Sequence, residues 1–180
     1  DMALKRLELG ASLNGQELAG IAKLLSTIHQ LMKFFDQLAA EEKTYPALTA
    51  WVYQVVTLPE IEAELTQAID EDGSVLSSAS VLLASIRRQQ GQMEQAIRLQ
   101  LNQLLKSKAS QLSDALVTMR NDRYVLPVKA EYKHQFGGTV HDQSSTGQTL
   151  YIEPQAVMEL NNKRAELQRA ERQEIERILM

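Results

Sequence analysis

Along most of this chain apolar residues recur three or four positions apart, the spacing of a helix that buries one face. From Gln16 to Ala40 the residues Leu18, Ile21, Leu24, Leu25, Ile28, Leu31, Met32, Phe35 and Leu38 form one broad stripe. A short amphipathic segment, Asp1 to Leu9, precedes it and stops at Gly10, and Asn14-Gly15 opens the new element. Tyr45-Pro46 breaks the pattern, Ala47 to Val56 reads as a further short helix, and Pro59 suits the first turn of another through Gln67. Brief connections between short helices predict antiparallel helical packing. After the loop Ile69 to Ser80, with Ser78 or Ser80 as a cap, a long helix runs from about Ser80 to Leu112. Its narrow stripe is Leu82, Ile86, Met93, Ile97, Leu101, Leu104 and Leu105, resembling an imperfect coiled-coil seam roughly 45 Å long. Gln155 to Met180 is helical again, with Val157, Leu160, Leu167, Ile175 and Ile178 on or near one face. The charges Arg164, Glu171, Glu174 and their neighbours are assigned to its solvated faces.

Only Ala115 to Pro154 changes period. Val117 and Met119 alternate with polar neighbours, Asn121-Asp122 interrupts, and Tyr124, Leu126 and Val128 resume the two-residue repeat of a half-buried strand. Asn and Asp both tolerate positive φ, so the pair predicts a tight turn. Gly138 to Asp142 and Thr149 to Glu153, joined through Ser144 to Gly147, predict a second hairpin. Together they predict a four-stranded antiparallel meander. On the strand after the Asn121-Asp122 turn, Arg123, Val125, Pro127, Lys129, Glu131 and Lys133 share one face, and Tyr124, Leu126, Val128 and Tyr132 the other. Pro127 places that strand at an edge or a bulge.

The fold class expected is therefore mainly α: a helical lever/core bundle with long antiparallel helices and an inserted four-stranded antiparallel β tip of two hairpins. Residues 1–74 form the short-helix core subdomain, 75–114 the long lever helix, 115–154 the β tip and 155–180 the returning helix. The chain of 180 residues is 44% hydrophobic, ordinary for a globular protein. The helical pattern is already running at the start and still running at Met180, so a piece of a longer protein is expected. A net charge of −4 gives no global pull on nucleic acid or anionic membrane, so any basic site must be local. The absence of cysteine excludes disulfides, thiolate metal sites and a cysteine nucleophile, and fits a cytoplasmic protein. No apolar run approaches the roughly 20 residues that span a bilayer, so no membrane partner is expected.

Enzyme motifs are missing. There is no phosphate-binding G-x-x-x-x-G-K-[ST] and no H-E-x-x-H, and the three histidines His29, His134 and His141 share no ligand spacing. Asp70, Glu71, Asp72 and Gly73 lack the rest of a calcium loop and read as an acidic surface turn. His29 reads as a boundary residue of its helix. His141-Asp142 beside Ser144 and Ser145 cannot make a triad, because neighbours on a strand point to opposite faces. No catalytic and no metal-ligating residue is assigned. A basic patch is better founded: Arg120, Arg123, Lys129 and Lys133, with His134 beside them, outnumber Asp122 and Glu131 in an acidic chain. Such an excess meets phosphate, and Gly137-Gly138 permits close backbone approach. An ordinary solvated face of an antiparallel sheet has the same pattern.

The run from Arg120 to Asn162, with R-Y-V-L-P-V-K, G-T-V-H-D-Q-S-S-T-G and L-Y-I-E-P, closely resembles the middle region of the bacterial MutS type-two proteins. Ile86-Arg87-Arg88 and LKRLELGASLN are similar too, so the resemblance covers essentially the whole chain. It implies a core or lever region with a reduced clamp-like tip, from a dimeric DNA-processing ATPase. It also implies that a P-loop ATPase using ATP and magnesium, and a small nuclease domain, belong to the parent and not to this piece, which itself holds no cofactor. Partners implied are branched or mismatched DNA, with suppression of homologous recombination, and alternatively the ribosome, through a rescue role. Arg120, Arg123, Lys129, Lys133 and His134 are then the expected nucleic-acid contacts.

Overall fold

A computed structural model of the protein describes residues 2–43 and 45–180. Seven helices and four strands appear among them: α1 (Met2–Glu8), α2 (Gly15–Ala40), α3 (Pro46–Val52), α4 (Pro59–Ala68), α5 (Val81–Ser107), β1 (Thr118–Arg120), β2 (Arg123–Lys129), α6 (Lys133–Phe136), β3 (Thr139–Gln143), β4 (Thr149–Glu153) and α7 (Met158–Leu179). The mainly α class with one four-stranded antiparallel sheet is thus borne out. No described helix is long and apolar enough to cross a membrane. The chain divides into two compact units, residues 1–84 with 174–180, and residues 85–173.

In the first unit, α2 starts where Asn14 and Glu17 exchange side-chain-to-backbone hydrogen bonds at 3.0 Å each, a reciprocal capping box. A Cβ on Gly15 would collide with the Gly73 carbonyl, so the acidic turn packs backbone to backbone on this helix start. That turn is closed by its own bonds: the Ser74 amide donates to Asp72 Oδ1 at 2.8 Å, and Ile69 pairs with Val75. The core gathers Ile69, Val75 and Leu83 with Leu18, Ile175 and Ile178 around them. Leu83 is fully buried and the expected Leu82 is 56% exposed. Ser80 caps α5, accepting from the Leu83 amide at 2.9 Å and donating to Glu174 Oε1 at 2.6 Å. His29, on α2, meets Glu62 of α4 at 3.1 Å.

The second unit holds the sheet. Its order is β1-β2-β4-β3, which is two hairpins but not a meander. The reason lies after Lys129. Ala130–Tyr132 turns as a 3-10 segment and Lys133–Phe136 forms α6, so β3 crosses to the far side of β4. Glu131, Tyr132 and Lys133 therefore do not continue the faces of β2. Asn121 and Asp122 do make the tight turn, both at positive φ (50° and 58°). Pro127 lies opposite Tyr151 of β4 but beyond the end of β1, where no β1 residue needs its missing N–H. The inner face of the sheet sets Tyr124, Leu126, Val128, Leu150 and Ile152 on Ile97 and Leu101 of α5, closed by Phe136 and Val157. The other face of β2 is covered too, because Val125 and Pro127 are buried.

Within this unit α5 and α7 run antiparallel: Arg87 binds Glu171 at 2.7 Å, while seven residues further along α5 Glu94 faces Arg164 at 3.8 Å. The seam is polar. Arg164 is buried, and Gln90 also donates to Glu171 at 2.8 Å. Burial pushes the Glu171 carboxyl up, but hydrogen bonds from Arg87 and Gln90 and the Arg87 charge outweigh it and hold it below the usual carboxylate range. The solvated faces expected for α7 are thus corrected: Arg164 in this unit and Glu174 in the other point inward.

Candidate nucleic-acid interface

The five expected contacts fall into two groups. Arg120 and Arg123 are engaged with the protein itself. Arg120 lies 4.0 Å over the Tyr151 ring, donates to Asp142 Oδ2 at 2.9 Å, and also donates to Thr118 Oγ1 and the Met119 carbonyl. Arg123 donates to Glu153 Oε1 at 2.9 Å and to Asn162 Oδ1 at 2.7 Å. Lys129 is intermediate, half-buried and donating to the Ser110 carbonyl at 2.9 Å. Lys133 and His134 differ. Both are exposed on α6, and neither enters an ion pair among the described residues. Burial and pairing therefore separate cations that composition alone runs together.

A residue absent from the expected basic patch joins the second group. Lys108 comes from the turn after α5, sits 4.6 Å from the centre of the Phe136 ring, and donates to the Phe136 carbonyl at 2.9 Å. It thereby satisfies a carbonyl at the end of α6, where a helix favours a cation. Phe136 is buried, so it pins α6 on the core while Lys133 and His134 project. Lys108, Lys133 and His134 thus gather around one short helix, with Lys129 at the strand end leading into it. Glu131 is the one acid in residues 129–136. Nothing in the sequence placed Lys108 here, because it is 28 residues from its partner.

Behind this surface lies a second constellation that sequence reasoning missed. Glu153 is 2% exposed. Its Oε1 accepts from Arg123 and, at 2.8 Å, from Asn161; its Oε2 meets His141 Nε2 at 2.6 Å. Asn161 also pairs with the backbone of Tyr124, accepting from its N–H at 3.3 Å and donating to its carbonyl at 3.2 Å. Arg164 donates to the Asp122 carbonyl at 3.0 Å with its guanidinium 5.2 Å from the Tyr124 ring. His141 reaches Glu153 because a β-bulge between Val140 and Asp142 re-aims it, while Asp142 goes to Arg120. His141 and Asp142 take different partners and do not pair with each other, but the alternation of faces expected of strand neighbours fails here, because the bulge leaves both on the face of Tyr151 and Glu153. The signal available was the spacing Val157, Asn161, Arg164, Leu167, a helical stripe whose middle members happen to be polar.

No protein-family model matches the chain. Curated relatives do. It is 52% identical over 177 residues to a protein named endonuclease MutS2 from Enterococcus faecalis, 50% identical over 177 residues to that of Latilactobacillus sakei, and 45% identical over 179 residues to that of a Geobacillus strain. Each match covers 98% of this chain but only 22%, 22% and 23% of the relative. The chain therefore corresponds, along almost all of its length, to one segment of the MutS2-type proteins.

Proposed function

We propose that this chain is a non-catalytic segment of a DNA-processing MutS2-type protein, and that it holds the sugar-phosphate backbone of branched or mismatched DNA through the α6 surface. Lys133 and His134 are the foremost contacts, with Lys108 and Lys129 behind them. Arg120 and Arg123 shape the surface and do not bind. The observation that carries this reading is the exposed, carboxylate-free pair on α6, set against two arginines already engaged. Breaking Arg123 away would strip its arginine from a buried carboxylate that then keeps only His141 and Asn161, and removing one partner of a buried pair costs about 3 kcal/mol at the low end. In the parent, ATP and magnesium would bind an ATPase elsewhere in the polypeptide, DNA cleavage would lie in a separate nuclease part, and the long helices would carry motion to the α6 surface of a homodimer, in the service of suppressing recombination.

The test is to replace Lys133 and His134 by alanine in the full-length protein and titrate a four-way DNA junction across salt concentrations. Affinity is expected to fall, and the slope of log K against log salt to shrink by about 0.9 for each phosphate no longer neutralised. Unchanged affinity and slope remove α6 from the interface. A second reading, in which the segment binds protein or the ribosome through its long helices, is favoured by Leu82 and Leu99, both exposed on α5. Titrating the 180-residue chain against ribosomes and against junction DNA separates the two.

A further inference from the structure

We propose that Glu153 is a positioning residue that couples the start of α7 to the placement of α6, so that a shift of α7 alters how the basic surface is presented. The purpose assigned to this coupling rests on the reading of α6 just given; its geometry does not.

Glu153 acts through both its side chain and its backbone. The side chain gathers three elements: Arg123 from β2, His141 from β3 and Asn161 from α7. Asn162, next along α7, takes the other end of Arg123 at 2.7 Å, so two consecutive helix residues grip the cluster. The backbone of Glu153 faces Thr139 in the β3–β4 ladder. One residue earlier, Gly138 at φ 106° lies so close that a Cβ there would overlap the Glu153 carbonyl. Gly137-Gly138 is the whole link from α6 to β3. One residue therefore touches the exit of α6, both hairpins and the first turns of α7.

Burial makes this contact stiff. A carboxylate out of water must keep its donors, because no solvent replaces a missing one. Moving α7 along its axis either breaks the Asn161 bond or carries Glu153 with it. Carrying Glu153 displaces β3 through His141 and the α6 exit through Gly138. Arg164 and Glu94 at the α5–α7 seam, and the separate Arg120–Asp142 pair, are the other charges around the cluster, and neither pair touches Glu153.

The experiment is amide hydrogen exchange on the 180-residue chain, without nucleic acid. Asn161 and His141 bind the same carboxylate but not each other. Asn161→Ala is expected to speed exchange in residues 137–143 by about tenfold, the scale of removing one bond to a charged group, while the Leu126 and Val128 amides stay protected. His141→Ala is expected to do the same to the first two turns of α7. Neither substitution should add to the effect of Glu153→Gln. Changes confined to the mutated element, or spread evenly over the unit, overturn the proposal. The two single variants decide this even if the Glu153 variant does not fold. Since DNA is absent, failure of Lys133 and His134 to bind it is a separate result.

Discussion

Glu174 shows how a charged residue on a helix can be read wrongly from its neighbours and still be explained physically. It lies among arginines and glutamates that suggest a wet surface, yet it is buried, taking Arg177 on its own helix and the Ser80 hydroxyl. The Arg177 and Ser80 hydrogen bonds, aided by the Arg177 charge and opposed by desolvation, lower its carboxyl to about 2. In the unfolded chain the same group titrates at its ordinary value of 4.5. The folded form thus binds the proton less readily, so its stabilisation is complete above the unfolded value and disappears as pH falls towards about 2. Glu171 adds to the same acid limb, its carboxyl also being lowered. Chemical denaturation at a series of pH values should show stability falling on acidification below about 4.5, and Glu174→Gln should flatten that fall. A variant as acid-sensitive as the parent chain would mean that the Ser80–Glu174–Arg177 contacts do not form. Ser80→Ala should remove part of the same effect and also uncap α5.

Whole elements were legible where their cause is local. The α2 start follows from Asn14 and Glu17 three residues apart, and the β1–β2 turn follows from two residues that accept positive φ. The strand order was not legible. K-A-E-Y-K after Val128 alternates as a strand would, yet the segment forms a 3-10 turn and a helix that buries Phe136 against the core with Lys108 over its ring. Likewise, Arg120 and Arg123 looked free because their carboxylates lie 22 and 30 residues downstream. Two positive-φ sites carry opposite expectations. Asp122 has its side chain exposed, so Asp122→Gly should relieve the φ cost and raise stability by up to about 1 kcal/mol. Gly138→Ala should lower it by more than about 1 kcal/mol, because the left-handed φ and the Glu153 carbonyl both oppose a Cβ. Urea midpoints with unchanged slopes measure both; equal effects of the two substitutions would contradict these backbone conformations.

Across the molecule, the two units differ in how much apolar surface each closes off. Among the described residues the sheet unit assembles a cluster of ten buried side chains, and the other unit a cluster of three. In that other unit α4 has no buried residue, α3 buries only Val52, and Trp51 is 79% exposed. Since burial of apolar area is the main favourable term, local opening should be far easier in α3 and α4 than in β2 and β4. In the 180-residue chain, amides of Pro46–Ala68 are expected to exchange at least about a hundredfold faster than those of Tyr124–Val128, and proteases should nick the first stretch while the sheet survives. Equal protection would show that the exposed apolar side chains of α3 and α4 are covered in solution, for instance by a second copy of the chain. Measuring exchange over a range of protein concentrations tests that directly, because protection supplied by self-association rises with concentration and protection built into a single chain does not.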